Sequence, residues 1–376
     1  MEIQETLAQL VGIDSVSARS NAEIVNYLAN RSEGMGLKAR RLPYRDENGI
    51  EKANLVVLAG TEFTSVTEVE LALVGHTDTV PYDPNWTEAL NLTESDGKLY
   101  GRGACDTKAF IAAVLTAVAN LNLRDLRRPV ALIFTADEEI GLIGAKRLAD
   151  CQALRARYSI VGEPTSLQPM RAGKGYCLAE IFVRGHEAHS AYPARGASAI
   201  FRTARLISRI EKIADQLKTE QHPAFDPGYT TLNVGLVRGG TAKNVIAGEC
   251  RFTLEWRPIP GQESHRVLTL LHSAIAEETE RDEDFECEVD AARADGGFET
   301  PSDSPLVRML EETSGQSAGT VAFGTEAAQM IKLGAEAVVF GPGDIRVAHR
   351  TGEFVPIDEL HRSVEILTTA VKDLCL

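Results

Sequence analysis

Residues 129–139 have the sequence Pro-Val-Ala-Leu-Ile-Phe-Thr-Ala-Asp-Glu-Glu, and this stretch decides the fold class. The run from Pro129 to Thr135 has the length of a strand and is apolar at every position but its last. Strands of this kind are buried on both faces, as in parallel sheets. Further short apolar runs occur at 69–75, 159–162 and 337–340. A buried helical pattern at 109–121 lies between two of them, and strands that alternate with helices predict an α/β layer with a mixed, largely parallel sheet.

The rhythm of the sequence changes between about residues 173 and 290. This region reads as strand, helix, strand, strand, helix, strand, at 176–183, 196–217, 231–237, 248–257, 262–281 and 285–289. That order is the ferredoxin-like split motif. We therefore predict two domains. Residues 1–172 and 291–376 form the α/β domain, and residues 173–290 form an inserted α+β ferredoxin-like domain.

The composition excludes several classes of protein. The 376 residues include 39 basic and 54 acidic side chains, so the formal net charge is -15, which disfavours binding to a nucleic-acid backbone. No apolar stretch approaches the ~20 residues that a membrane helix needs. The six cysteines are widely spaced without a CxxC pair, which indicates buried reduced thiols. With no apolar leader at the N-terminus, we expect a cytoplasmic protein that binds neither nucleic acid nor membrane.

Acidic residues and histidines follow the predicted strands directly. Ligands of open α/β sheets bind beyond the carboxyl ends of the strands, so these side chains should converge in one crevice. Any one of them alone is more often a solvated carboxylate or a surface histidine, but their shared position favours a common site. The residues are His76, Asp78, Asp106, Glu138, Glu139, Glu163 and His349.

Converging carboxylates repel each other, and a bound cation is the simplest compensation. Mixed imidazole and carboxylate ligands suit Zn²⁺, with Co²⁺ or Mn²⁺ as alternatives. Five ligands exceed the needs of one tetrahedral ion with an open position, so two ions about 3.5–4 Å apart fit better. Asp106, at the start of a helix, is the natural bridging ligand. Asp78 lies two residues after His76, and its carboxylate is expected to accept the second ring N–H of that histidine.

The motifs as a set resemble those of the dinuclear zinc aminoacylase and carboxypeptidase family over essentially the whole chain. The similar segments are 76–81 (His-Thr-Asp-Thr-Val-Pro), 101–108 (Gly-Arg-Gly-Ala-Cys-Asp-Thr-Lys), 136–139, 162–165 and the late Ala348-His349. Within that family, residues 162–169 and 193–196 are most similar to acetylornithine deacetylases.

The resemblance implies a role for each residue at the predicted site. His76 and Glu163 would bind one metal ion, Glu139 and His349 the other, and Asp106, with a cis bond to Thr107, would bridge them. Glu138 would be the general base.

The resemblance also implies functional residues outside the metal cluster. His189 would be donated across a dimer interface of the inserted domain, a lid and dimerisation domain, to polarise the scissile carbonyl. The substrate-binding positions would be Asn244, Arg257, Thr325, Gly341 and Gly343. Arg257 suits a carboxylate because its planar fork matches two oxygens, and a surface ion pair near a strand end is the alternative role for this residue.

The implied activity is hydrolysis of a small N-acyl amino acid, with N-acetylornithine as the favoured substrate, in arginine biosynthesis, and a homodimer as the assembly. The alternatives are a succinyl-diaminopimelate desuccinylase, an acetylcitrulline deacetylase, and a dipeptidase or carboxypeptidase. A noncatalytic binding relative on the same scaffold is the alternative from a different class.

Overall fold

The computed structural model describes residues 2–376 as two compact units. The first unit contains the residues up to Arg171 together with Thr300–Gly319 and Thr325–Leu376, and the second contains Ala172–Glu299 and Thr320–Gly324. The second unit extends to Glu299, beyond the predicted end of the insert at residue 290, because its last long strand continues to Asp295.

The helices and strands divide into three groups along the chain. Before residue 176 they are α1 (Ile3–Gly12), α2 (Ala22–Gly34), β1 (Lys38–Arg45), β2 (Glu51–Ala59), β3 (Thr67–His76), β4 (Thr93–Ser95), β5 (Lys98–Tyr100), α3 (Lys108–Ala119), β6 (Val130–Thr135), α4 (Ile143–Cys151), β7 (Leu154–Val161) and β8 (Met170–Gly173). The next group is β9 (Tyr176–Arg184), β10 (Ala188–His189), α5 (Ala199–Leu217), β11 (Thr231–Gly239), β12 (Val245–Ile246), β13 (Glu249–Arg257), α6 (Arg266–Arg281) and β14 (Glu286–Asp295). The last group is β15 (Phe298–Glu299), α7 (Pro305–Ser314), β16 (Gly319–Val321), α8 (Ala327–Lys332), β17 (Glu336–Val339), β18 (Phe354–Pro356) and α9 (Ile357–Cys375).

The sheet of the first unit is mixed, with a parallel centre. Its strands run in the order β1-β2-β6-β3-β7-β17. Strand β3 is parallel to both β6 and β7, and β17 is parallel to β7, whereas β1 and β2 pair antiparallel at the edge. All six residues of β6 are buried, as the apolar run predicts.

Helix α3 packs against the sheet close to the site described below. Nearly all of its residues are buried, including Phe110, and burying one such side chain contributes roughly 1.5–3 kcal/mol. A Cβ at Gly162 would lie 2.2 Å from the Phe110 ring. Glycine at position 162 therefore lets the end of β7 approach the helix.

The second unit is a four-stranded antiparallel sheet with two helices. Its order is β11-β13-β9-β14. The helices α5 and α6 contribute Leu206, Ile210 and Leu271 to a core with Phe252 and Trp256 from the sheet. The predicted ferredoxin-like order is therefore confirmed. Helix α5 begins at Ala199 instead of the predicted Gly196, because the Ser198 hydroxyl accepts a hydrogen bond from the Phe201 N–H and caps it.

Two further sequence expectations can be compared with the structure. All six cysteines are free thiols, but Cys151 is exposed and Cys287 is only half-buried, so the expectation that all are buried is wrong. Among residues 2–376, none of the helices combines the length and apolar character that a bilayer crossing requires.

Candidate metal centre

The parallel strands end at one edge of the sheet, and three of the predicted ligands, His76, Glu139 and Glu163, lie at or shortly after these ends. His76 is the last residue of β3, and Glu163 follows β7 after one intervening glycine. Asp106 precedes α3, whose N-cap is Thr107, and the peptide bond between these two residues is cis, as the resemblance implies. His349 has a φ of 61°, which non-glycine residues rarely adopt and which is common at functional sites.

Asp106 stands between two histidines. Its Oδ1 lies 3.0 Å from His76 Nε2, and its Oδ2 lies 3.1 Å from His349 Nε2. The same nitrogen of His349 is 3.1 Å from Glu139 Oε1. Ligand atoms of His76, Asp106 and Glu139 all lie within 4.8 Å of one another. The structure thus brings four of the five predicted ligands into direct contact, and each oxygen of Asp106 faces a different histidine.

Glu163 and Glu138 lie close enough to this cluster to interact with it electrostatically. Burial, followed by the charges of Asp106 and Glu138, raises the pKa of Glu163 well above its ordinary value. Burial also raises the pKa values of Glu138 and Glu139, and neighbouring carboxylates add to both shifts. For all three carboxyl groups, burial and the neighbouring carboxylates therefore outweigh the opposing effect of the nearby histidines.

The same negative charges that disfavour ionised carboxyl groups favour the charged form of the two histidines. Burial alone would lower the pKa of His76, but the hydrogen bond and charge of Asp106 outweigh it and raise the pKa well above its ordinary value. Hydrogen bonds to Asp106 and Glu139 raise the pKa of His349 to about 10. Positive charge is thus strongly favoured between the imidazoles and the carboxylates. Divalent cations supply such charge, and the donor set fits zinc, cobalt or manganese.

Asp78 acts on the site differently from the prediction. The Nδ1 atom of His76 lies 3.0 Å from the Asp78 backbone carbonyl, whereas the carboxylate Oδ1 is 3.7 Å away. The carbonyl therefore fixes the tautomer and leaves Nε2 as the ligand atom. The Asp78 carboxylate accepts instead from the backbone N–H groups of Glu138 (3.1 Å) and Glu139 (3.2 Å) and from the Ser17 hydroxyl (2.7 Å).

A second buried network, which the sequence analysis did not identify, holds the residue before Glu138. Asp137 has a φ of 56° and is fully buried. Its carboxylate accepts from Lys52 Nζ at 2.7 Å and from the Tyr44 hydroxyl at 2.8 Å. Lys52 also donates to the Ser17 carbonyl at 2.6 Å. Hydrogen bonds to the Asp137 carboxylate therefore hold the turn that carries Glu138.

Three of the predicted substrate-binding residues of the first unit have structural contacts of their own. The Thr325 hydroxyl accepts from the Ala327 N–H at the start of α8. A Cβ at Gly341 would lie 2.6 Å from the Glu163 carbonyl, and one at Gly343 would lie 2.5 Å from Cys105 Sγ. The two glycines therefore allow close packing of the loops that carry Glu163 and Asp106, which accounts for both without a substrate.

His189 and Asn244 are neighbours on the surface of the second unit. His189 pairs with Val245 in the short β10–β12 ladder, and the Asn244 carbonyl accepts from the Ser190 N–H at 3.0 Å. Both residues are exposed, and the ring of Tyr192 lies 6.0 Å from that of His189.

Arg257 does not present the open fork that the prediction describes. Its Nε donates to Glu255 at 2.7 Å and its Nη1 donates to the Ala322 carbonyl at 2.8 Å. It also lies 4.8 Å from the Tyr176 ring centre. Arg293, which the sequence analysis did not identify, lies at the same distance from that ring, and its Nε donates to Asp295.

Comparison with known proteins agrees with this geometry. The model of peptidase family M20/M25/M40 matches residues 72–373. Acetylornithine deacetylase of Myxococcus xanthus is 52% identical over 99% of this chain and 97% of its own length. The enzyme of the same name from Proteus mirabilis is 35% identical over 99% of this chain and 96% of its own length.

A solved structure extends the comparison to the fold. A tripeptidase from Staphylococcus aureus aligns with a TM-score of 0.78 and 25% identity, covering 99% of this chain and 97% of its own. The chain belongs to the peptidase family M20/M25/M40.

Proposed function

We propose that this chain hydrolyses the amide bond of N-acetylornithine and that it uses two divalent metal ions to do so. The observation that carries the proposal is the 52% identity to an acetylornithine deacetylase over nearly the full length of both chains. The carboxylate and imidazole cluster at the strand ends supports a hydrolytic metal centre.

We assign the ligands as the resemblance implies. His76 and Glu163 would hold one ion, Glu139 and His349 would hold the other, and Asp106 would contribute to both. Zn²⁺ is the proposed metal, with Co²⁺ or Mn²⁺ as substitutes. When bound, such ions supply Lewis acidity that activates water and polarises an acyl carbonyl.

Glu138 is the proposed general base and acid. It lies beside the ligand Glu139, and its backbone N–H is held by the Asp78 carboxylate. Burial raises its pKa, so its carboxylate is a strong acceptor for the proton of the attacking water. The same oxygen then returns the proton to the departing α-amine. Asp78 and the Lys52–Asp137 pair hold the backbone on which this transfer depends.

The second unit supplies the remaining proposed contacts. Arg257 and Asn244 are proposed to bind the substrate, and Arg257 would exchange its bonds to Glu255 and the Ala322 carbonyl for the free carboxylate of the substrate. Thr325, Gly341 and Gly343 of the first unit are the other proposed substrate-binding residues. His189 is exposed on its ladder, so it is available to another subunit, and we propose that it polarises the acyl carbonyl across a homodimer. A cytoplasmic location stays a prediction from composition.

A panel of substrates tests the proposal. Purified chain reconstituted with Zn²⁺ is assayed on N-acetylornithine, N-acetylcitrulline, N-succinyl-diaminopimelate and dipeptides. We expect the highest kcat/KM on N-acetylornithine. A higher value for another member would reassign the substrate to that class. Absence of hydrolysis across the panel, with metal bound, would support a noncatalytic binding protein instead.

A further inference from the structure

The loop after His349 carries a second residue that contacts the metal cluster indirectly. Glu353 lies four positions further along and is completely buried. Its Oε1 accepts hydrogen bonds from the backbone N–H groups of Cys105 at 2.9 Å and Asp106 at 3.0 Å. Its backbone carbonyl accepts from the Gly101 N–H at 3.0 Å. One short loop therefore holds both a candidate ligand, His349, and the main chain of the candidate bridging ligand, Asp106.

The charge of Glu353 is balanced by a buried arginine. Arg102 Nη1 donates to the second oxygen of Glu353 at 2.5 Å, and Arg102 Nη2 donates to the Pro81 carbonyl at 3.3 Å. The two side chains are 3% and 0% exposed, so both charges have been removed from water. An apolar pair of similar volume often stabilises a core at least as well as a buried ion pair does. Stability alone is thus a weak explanation for this pair.

The hydrogen bonds of Glu353 explain how Asp106 is held in the orientation that the site requires. Asp106 must direct one oxygen to His76 and the other to His349, which requires a fixed main chain at residue 106. Two N–H groups bound to a single carboxylate oxygen provide that constraint, and charged acceptors make roughly twice as strong a hydrogen bond as neutral ones. Arg102 in turn fixes the carboxylate.

We propose that Glu353 is a positioning residue. It aligns Asp106 with His349, so that these ligands are already arranged for the metal ion that Glu139 and His349 would hold. This inference rests on the proposed two-metal centre. Residues that orient metal ligands typically affect metal affinity by roughly 10–100-fold when they are replaced.

Zinc binding to the metal-free chain tests the proposal without reference to turnover. The Glu353→Gln variant keeps an acceptor oxygen and the volume of the side chain but loses the charge. We expect its weaker Zn²⁺ site to lose roughly tenfold or more in affinity, measured by competition with a chromophoric chelator. We also expect kcat to fall while KM changes little, because no substrate contact is altered.

The matched control is Glu278→Gln in the second unit. Glu278 is also a buried glutamate bound by arginines, but it belongs to the second unit, whereas the predicted ligands belong to the first. Its zinc affinity should equal that of the unmodified chain. If Glu353→Gln does not fold, the Arg102→Lys variant is tested in its place. Its zinc affinity should fall at least about threefold, because lysine lacks the planar fork of arginine.

The outcomes separate this inference from the proposed function. Wild-type zinc affinity in a folded Glu353→Gln or Arg102→Lys chain would overturn the positioning role alone. An unmodified chain that binds fewer than two zinc ions would instead contradict the two-metal proposal on which it rests.

Discussion

Among the residues of the site, Asp106 and Glu138 have the most clearly separated environments. Asp106 is buried, which alone would raise its pKa, but His349 and His76 outweigh burial and lower the pKa below the ordinary range. Burial raises the pKa of Glu138 instead, and the charge of His76 does not offset it. Two carboxylates whose pKa values shift apart suit different tasks, one as a permanently charged ligand and the other as a proton carrier.

We predict that Glu138→Gln keeps its metal and loses catalysis. The amide cannot take a proton from water, so kcat should fall by roughly 10²–10⁴-fold while metal content stays at the level of the unmodified chain. Steady-state kinetics and metal analysis of the same preparation measure both quantities. The exposed Glu68→Gln change is the control. Activity within a few-fold of wild type in Glu138→Gln would remove Glu138 from the proposed role.

We predict that Lys52→Met destabilises the fold strongly. The change leaves Asp137 as an unpaired buried charge beside Glu138, which typically costs about 3–5 kcal/mol in the free energy of unfolding. Urea denaturation measures it, and the double variant Lys52→Met with Asp137→Asn should recover part of the loss. The exposed Lys38→Met change should stay within about 0.5 kcal/mol. A small effect of Lys52→Met would mean that the pair does not hold the turn.

The candidate ligands could be identified from the sequence, but the residues that hold them in place could not. His76, Asp106, Glu139 and Glu163 lie at strand ends or a helix start, where local pattern places them. Lys52 and Asp137 are 85 residues apart, and Glu353 is 247 residues from Asp106. No local periodicity indicates such pairs. The prediction that the Asp78 carboxylate bonds the His76 ring was wrong for the same reason. This carboxylate accepts hydrogen bonds from two N–H groups some 60 residues away.

At the level of single elements, the sequence predicts the buried strand β6, but it predicts neither the edge strand β1 nor its largely buried neighbour β2. β6 is apolar at every position but its last and is fully buried, so its hydrophobic pattern is sufficient to predict it. β1 contains Arg40, Arg41 and Pro43 and has no buried residue, as befits an edge strand. Its stability comes from pairing with β2, which a sequence pattern does not show.

We predict an acid-sensitive contact between α5 and α6. Burial would raise the pKa of Glu278, but hydrogen bonds from Arg205 (2.9 Å) and Arg209 (2.6 Å) outweigh it and lower the pKa below 4.5. A lowered pKa stabilises the folded state above the unfolded value of 4.5, and this stabilisation disappears as pH falls through the folded value.

Glu278→Gln should therefore lower the free energy of unfolding by roughly 1–3 kcal/mol at pH 7. The difference from the unmodified chain should shrink as pH falls from 4.5 through the lower pKa of folded Glu278, because the unfolded chain takes up the proton first. Denaturant unfolding of the full chain at several pH values gives this comparison. The exposed neighbour Glu277→Gln serves as the control. A difference that is independent of pH would contradict an electrostatic origin.

At the scale of the whole molecule, the two units divide the proposed chemistry. The first carries the candidate metal ligands and Glu138, and the second carries His189, Asn244 and Arg257. If His189 acts on the partner subunit of a homodimer, each active site combines Glu138 of one chain with His189 of the other. Two inactive variants with defects in different units should complement each other.

We predict that mixing His189→Ala with Glu138→Gln restores activity. Random pairing makes half of the dimers hybrid, and each hybrid has one intact site, so about a quarter of wild-type activity should return. The variants are refolded together, and each variant refolded alone provides the baseline. Recovery no greater than the sum of the two baselines would indicate that His189 does not act across the dimer.

The central claim is that side chains from distant parts of the chain hold two metal ions around Asp106. Crystals of the zinc-reconstituted chain, with anomalous diffraction recorded at the zinc edge, test it most directly. We expect two peaks about 3.5–4 Å apart, with Asp106 between them, His76 on one and His349 on the other. A single peak, or peaks that leave either histidine unbound, would contradict it.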